Sequence, residues 1–181
     1  GYLSKEENVI FALTTFAQLK QLFPQITLTI ALGHLHKVKL LTIVKSLKLV
    51  NAVYFIENVP HQLILENYKN YGIGLGLMSI SEHDPAEFRD PTEIKAFLSA
   101  GIPVICSQDF SISQEIHNQK AGISVKHDRK TILAVLTRLL SNKEEYDYYS
   151  RNAIALAKKF IWEDQFNKAI KNSNLAIKNH G

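Results

Sequence analysis

Strand-like runs alternate with helical segments along almost all of this 181-residue chain, and that alternation limits its fold more than any other feature. Over Glu6 to Leu22, the apolar residues Val9, Ile10, Leu13, Phe16, Ala17 and Leu22 recur at helical spacing. Pro24 stops the helix, and Ile26 to Ile30 then alternates as a strand does, ending at Gly33. His36 to Leu49 returns to helical spacing, with Val38, Leu41, Val44 and Leu47 on one face. Val53 to Ile56 is a β-rich run closed by Pro60, followed by a helix over His61 to Lys69 and a strand over Gly72 to Met78. Ser79 to Asp90 has no period and reads as a long loop. Thr92 to Ala100 is expected to be helical, Pro103 to Cys106 a buried strand, and Ile112 to Gln119 a short helix. Gly122 to Val125 then reads as a strand and His127 to Leu140 as an amphipathic helix. Helices over Lys143 to Lys159 and Trp162 to Lys178 follow.

Parallel strands need crossovers of a dozen or more residues, and helices of this length supply them. The expected fold is therefore α/β: a Rossmann-like, doubly wound parallel sheet with extra C-terminal helices, forming one domain over residues 1–181. Such sheets bind ligands beyond the carboxyl ends of their strands, where the strand order reverses. The loops after Gly33, Ile56, Met78 and Cys106 are the places this rule selects.

Composition narrows the class. With 46% hydrophobic and 21% charged residues, collagen-like, coiled-coil and wholly disordered chains are excluded. A lone Cys106 cannot form an internal disulfide, which fits a reducing compartment. The net charge of +4 suits an anionic ligand or surface but is too small to argue for nucleic acid. Apolar stretches such as Ile26 to Leu32 fall far short of the roughly 20 residues a membrane span needs. No secretory leader opens the chain, so a cytoplasmic location is expected. The start at Gly1, without Met, leads us to expect a piece of a longer polypeptide.

Chemistry concentrates in the segment from Ser81 to Ile105. There a polar loop leads into Asp90-Pro91-Thr92-Glu93, which opens a helix, and Gly101-Ile102-Pro103 breaks into the next strand. Asp90 or Thr92 can cap that helix, and Pro91 suits its first turn. Unbonded first-turn amides and the helix dipole together favour a phosphate. Glu93 is placed to accept hydrogen bonds from ribose hydroxyls. The alternative is that Thr92 and Glu93 serve only as capping residues.

The run from Pro91 to Ile105 resembles the "P-x-x-x-x-E-x-x-A-x-G-x-P-V-I" segment of GT-B glycosyltransferases, particularly family-four-like enzymes. Gly1 to Asn8 is similar to their "G-R-L-s-x-E-K-g" opening, Val53 to Pro60 to "V-x-F-x-G-x-V-p", and Tyr71 to Leu77 to "a-D-I-g-l-x-p". Phe160-Ile161-Trp162-Glu163 resembles "f-s-W-e". The resemblance implies the C-terminal, donor-binding half of a two-domain transferase. A glycosyl group would pass from a nucleoside-diphosphate sugar to a glycan or lipid-linked acceptor held by an N-terminal domain. This half alone is expected to transfer nothing.

Carried over residue by residue, the resemblance puts Asn58 and Val59 beside the base, the Thr92 helix start at the diphosphate and Glu93 or a neighbour at the ribose, with Ser4 and Pro91 also among the donor-binding residues. Glu82 and Asp84 would lie near the sugar, and no metal or cofactor beyond the donor is implied. The sequence also departs from the family. The Arg and Lys that neutralise the leaving diphosphate align with Tyr2 and Glu7, and the second Glu of the paired-carboxylate motif aligns with Ala96. Lys5, in the same opening loop, is the favoured substitute cation, ahead of Arg89 and Lys95. The competing reading is a non-catalytic GT-B-like interaction module.

Gly72, Gly74 and Gly76 have the wrong spacing for a dinucleotide fingerprint and read as a strand under close packing. His34 and His36, or His83 with Asp84, lack the second ligand pair that a metal site needs. Lys37, Lys39, Lys45 and Lys48 make a basic helix face suited to water or to anionic lipid at the inner membrane surface. Cys106 reads as core packing.

Overall fold

A computed structural model describes residues 6–31, 37–57, 66–77 and 92–160. The expected helix over Trp162 to Lys178 and the loop over Ser79 to Asp90 lie outside these residues. The expected helix over His61 to Lys69 is described only from residue 66, where a 3-10 turn occupies Tyr68–Asn70.

Helix α1 (Glu6–Leu22) buries Val9, Leu13 and Phe16 of the expected stripe together with Ala12 and Leu19, while Ile10 and Ala17 are half-buried and Leu22 is exposed. The chain turns at Pro24, where the Lys20 ammonium binds the carbonyls of Pro24 and Ile26, and enters β1 (Leu28–Ala31). Helix α2 (Lys37–Ser46) buries Leu40 and Val44 and leads to β2 (Val53–Ile56). The two strands are parallel, with Leu28 opposite Val53 and Ala31 opposite Ile56. Helix α2 ends earlier than its apolar period suggests. Lys48 takes a left-handed conformation at φ 57°, and the Leu49 amide folds back to the Val44 carbonyl.

A second parallel sheet has the order β3-β4-β5, formed by Gly74–Gly76, Val104–Ser107 and Gly122–Val125. All four residues of the central strand β4 are buried, as a strand covered on both faces must be. Helices α3 (Thr92–Ser99) and α4 (Ser113–Asn118) flank β4 in sequence, and α5 (Arg129–Ser141) follows β5. Asp128 caps α5 by accepting the Thr131 amide at 2.8 Å. Helix α6 (Lys143–Ala157) buries Tyr149, Ala153 and Leu156 and packs along α3. This is the α/β architecture expected from the alternation, with its additional C-terminal helix. Among the described residues, no strand pairing joins β1 to β3.

The seat of α3 is fixed by two glycines. A side-chain carbon on Gly76 would come within 2.8 Å of Ile94, and one on Gly74 within 2.6 Å of the Phe97 ring. Ile94 therefore lies over Gly76 and Phe97 over Gly74, so α3 runs antiparallel to β3 with its first turn at the strand's carboxyl end. The glycine-rich run is a floor for helix packing, as the sequence reading favoured. Gly101, at φ 73°, ends α3 by a left-handed turn, with the Ile102 amide returning to the Phe97 carbonyl. The Gly101 carbonyl accepts the Ser150 hydroxyl of α6 at 2.7 Å.

At Gly122 the obstruction is backbone, since an added carbon would lie 2.2 Å from the Val104 carbonyl oxygen. Alanine substitutions should therefore rank by what must move. Gly122→Ala should cost about 3 kcal/mol, Gly74→Ala less, and Gly76→Ala, which meets only the tip of Ile94, about 1 kcal/mol. Chemical denaturation of the three variants tests the order, and an inverted ranking would contradict this account of the packing.

Candidate functional site

The first turn of α3 stands at the carboxyl end of β3 because of the glycine floor beneath it. Its leading amides have no acceptor within the helix and point outward with the positive end of the helix dipole. Thr92 is exposed there and Glu93 half-buried. The Glu93 carboxylate lies close enough to Tyr68 that its charge, after burial itself, helps raise that phenol above its usual range. Tyr68 is packed between Phe97, 4.7 Å away by ring centroids, and Tyr71 at 6.3 Å. Glu93 thus combines a wet edge with an aromatic wall.

Ala96, aligned with the second carboxylate of the family pattern, packs against the core under α3. Lys95 holds its ammonium over the Phe160 ring at 4.9 Å. Of the expected site residues, Thr92 and Glu93 are therefore placed together at one helix start. Ser4, Lys5, Asn58, Val59, Glu82, Asp84 and Pro91, along with Arg89, lie outside the described residues. The same holds for His34, His36 and His83.

A second cluster forms where β4 and β5 end, and sequence reasoning did not single it out. The His127 ring stacks on Phe11 of α1 with centroids 4.1 Å apart. Its Nδ1 lies 3.5 Å from the Ser107 hydroxyl, the outer limit of a hydrogen bond. Arg129 donates to the Thr14 hydroxyl at 2.9 Å and lies over the Phe11 ring at 5.7 Å. Ser107 is fully buried, so this grouping is no nucleophilic triad and acts as a clasp between α1 and the strand ends. The one available signal was position, since His127 falls two residues past a strand end. Cys106 is equally buried, and burial pushes its thiol up to about 12, which fits the packing role expected of it.

The basic helix α2 is partly committed to the fold. Lys37 pairs with Glu57 at 3.2 Å and Lys39 with Glu6 at 2.6 Å, while Lys45 and Lys48 are exposed. Among the described residues no helix is long and apolar enough to cross a membrane.

Residues 1–156 match the family described as glycosyl transferases group 1. No curated protein matches by sequence. Among solved structures, the chain is similar to WaaG, a glycosyltransferase involved in lipopolysaccharide biosynthesis, with 16% identity and a TM-score of 0.71 over 87% of this chain and 41% of that one. It is also similar to Anabaena HepE in complex with UDP-glucose, with 14% identity and a TM-score of 0.74 over 92% of this chain and 44% of that one. A third likeness is to the C-terminal domain of the Francisella tularensis group 1 protein LpcC. There the identity is 16% and the TM-score 0.68, over 84% of this chain and 78% of that one. These likenesses show a GT-B glycosyltransferase fold. The chain spans less than half the length of WaaG and HepE.

Burial against Phe11 lowers the His127 imidazole below its ordinary value of 6.5, and the charge of Asp109 offsets only part of this. A depressed folded-state value means that protonation favours the unfolded chain. The stability this group contributes is full above pH 6.5 and is lost as pH falls through the folded value. His127→Gln should therefore flatten the acid limb of the stability profile below that pH relative to the parent. Parallel profiles, measured by thermal unfolding, would contradict the assignment.

Proposed function

The chain belongs to the group 1 glycosyl transferases, and from that premise we propose that it forms the donor-binding part of a nucleotide-sugar-dependent transferase. The observation that carries this reading is the first turn of α3, set by Gly74 and Gly76 at the carboxyl end of β3. A diphosphate seated there meets outward amides and a favourable dipole. Glu93, one residue into the helix, is within reach of a ribose standing beside that diphosphate. HepE, of similar fold, has been solved with UDP-glucose.

The chemistry that suits such a site is electrostatic and positional. Charge develops on the departing diphosphate, and fixed amides stabilise it without reorganising at the moment of transfer. Lys5, which precedes α1 in the sequence, is the cation we assign to the same task, with Ser4 next to it in the chain. Asn58 and Val59 would border the base, Pro91 would support the diphosphate site, and Glu82 and Asp84 would approach the sugar. The acceptor, a glycan or lipid-linked sugar, would be held by a second domain. No metal or cofactor beyond the donor is needed for the step. The exposed Lys45 and Lys48 suit contact with an anionic membrane face inside the cell.

Titration of the chain with UDP, GDP and their sugars, followed by calorimetry and amide chemical shifts, tests the reading. We expect shifts at Thr92 to Lys95, and a loss of about tenfold in affinity for Glu93→Ala, near the value of one hydrogen bond to a charged group. A silent titration with every nucleotide would overturn the donor site and leave the interaction-module reading.

A further inference from the structure

Five of the 21 basic residues and none of the 17 acidic ones lie between Glu7 and Glu57, so the rest of the chain is close to neutral and the net charge of +4 belongs to this stretch. Uneven charge of this kind marks a surface that meets an anionic partner. The fold directs it to one side of the molecule. Lys20 is turned onto backbone carbonyls, while the other four lysines lie on α2 and the turn that follows it. Lys37 and Lys39 are paired back to Glu57 and Glu6, which holds the first turn of α2 at the carboxyl end of β2. Lys45 and Lys48 are exposed. Apolar side chains stand among these charges. Val38, 79% exposed, is the most exposed large apolar side chain among the described residues, and Leu41 is 38% exposed. Both share an outward stripe with Lys45, at positions i, i+3 and i+7, across the helix from the buried Leu40 and Val44.

We propose that this stripe of α2 docks on an anionic lipid bilayer, with Val38 and Leu41 entering the boundary between headgroups and acyl chains while Lys45 and Lys48 hold the headgroups. The charge is complementary to such a surface, and each lysine near it strengthens partition by about fivefold. An aliphatic pair at the centre of the stripe gains nothing from the phosphates of a nucleic acid, and α2 has no aromatic side chain on which a base could stack. A bilayer accepts both parts at once, because lysine stems lie along its apolar zone while their ammoniums stay at the headgroups. The contact is shallow and reversible, since one short helix supplies only two inserting side chains. It brings the first turn of α2, and with it the carboxyl end of β2, to the bilayer, where a lipid-linked acceptor would be presented. The proposal deepens the membrane contact suggested above for Lys45 and Lys48 and rests on it, but it is independent of donor binding.

The test is sedimentation of the 181-residue chain, without nucleotide, on vesicles of phosphatidylcholine alone and of phosphatidylcholine mixed with phosphatidylglycerol. Binding is expected only to the anionic vesicles. The double variant Lys45→Gln, Lys48→Gln should weaken it by about tenfold or more. The double variant Val38→Ser, Leu41→Ser keeps every charge and should still weaken it by about tenfold. A second readout reports insertion in a chain that keeps all its lysines. Val38→Cys is labelled with an environment-sensitive fluorophore, Cys106 being buried, and its emission should shift to the blue on anionic vesicles. Binding unchanged by the Val38 and Leu41 substitutions, or a label that stays in water, would overturn insertion and leave the charge contact of Lys45 and Lys48 standing. Failure of the parent chain to bind anionic vesicles would overturn both, as would its retention on double-stranded DNA or polyglutamate in their place.

Discussion

Helix α1 holds the two groups of strands together through apolar contacts on both sides. Its Val9, Leu13 and Phe16 pack with Ile30, Leu40 and Val53 of the first unit, while Leu19 joins Leu77, Ile105 and Ile123 of the second. Burying each of these larger side chains is worth about 1.5–3 kcal/mol. Exposed ion pairs such as Lys143 with Asp147 contribute at most about 1 kcal/mol. Apolar contact therefore dominates, and the exposed hydrogen bond from Arg129 to Thr14 adds to an interface that burial stabilises.

The candidate site follows from the same economy of space. Gly74 and Gly76 have no side chains, so α3 sits directly on β3, and the contact of Ile94 and Phe97 fixes which end of the helix reaches the strand's carboxyl end. Helix α6 then closes over α3, with Ser150 bound to the Gly101 carbonyl. The helix is thus held by β3 beneath it and by α6 at its C-terminal end.

Much of this was legible in the sequence because it is local. Val53 to Ile56 and Gly122 to Val125 are strands at the expected residues, each carrying two β-branched residues, with aromatics between them in the first. The end of α2 was not legible, because Lys48 adopts a conformation that a reader expects of glycine. His127 escaped notice because its environment comes from Phe11, more than a hundred positions away in the chain. Thr92 and Glu93 were found because helix starts carry a signature of their own. The other proposed site residues lie outside the described residues, in segments of the sequence with no period to place one side chain against another.

The distribution of cations decides how a transfer step on this scaffold would work. Lys37 and Lys39 are held by Glu57 and Glu6, Lys95 engages the Phe160 ring, and Arg129 engages Thr14 and Phe11. These four already have structural tasks, and moving any of them to a phosphate would cost an existing contact. A helix N-terminus offers about half a unit of positive charge, fading within one turn. A departing nucleoside diphosphate carries several times that charge in the opposite sense. The amides of α3 can therefore orient the diphosphate but cannot neutralise it alone. On the proposed reading the remainder falls to a side chain, and Lys5, which precedes α1 in the sequence, is the one we assign to it because the Lys95 ammonium is already engaged by the Phe160 ring.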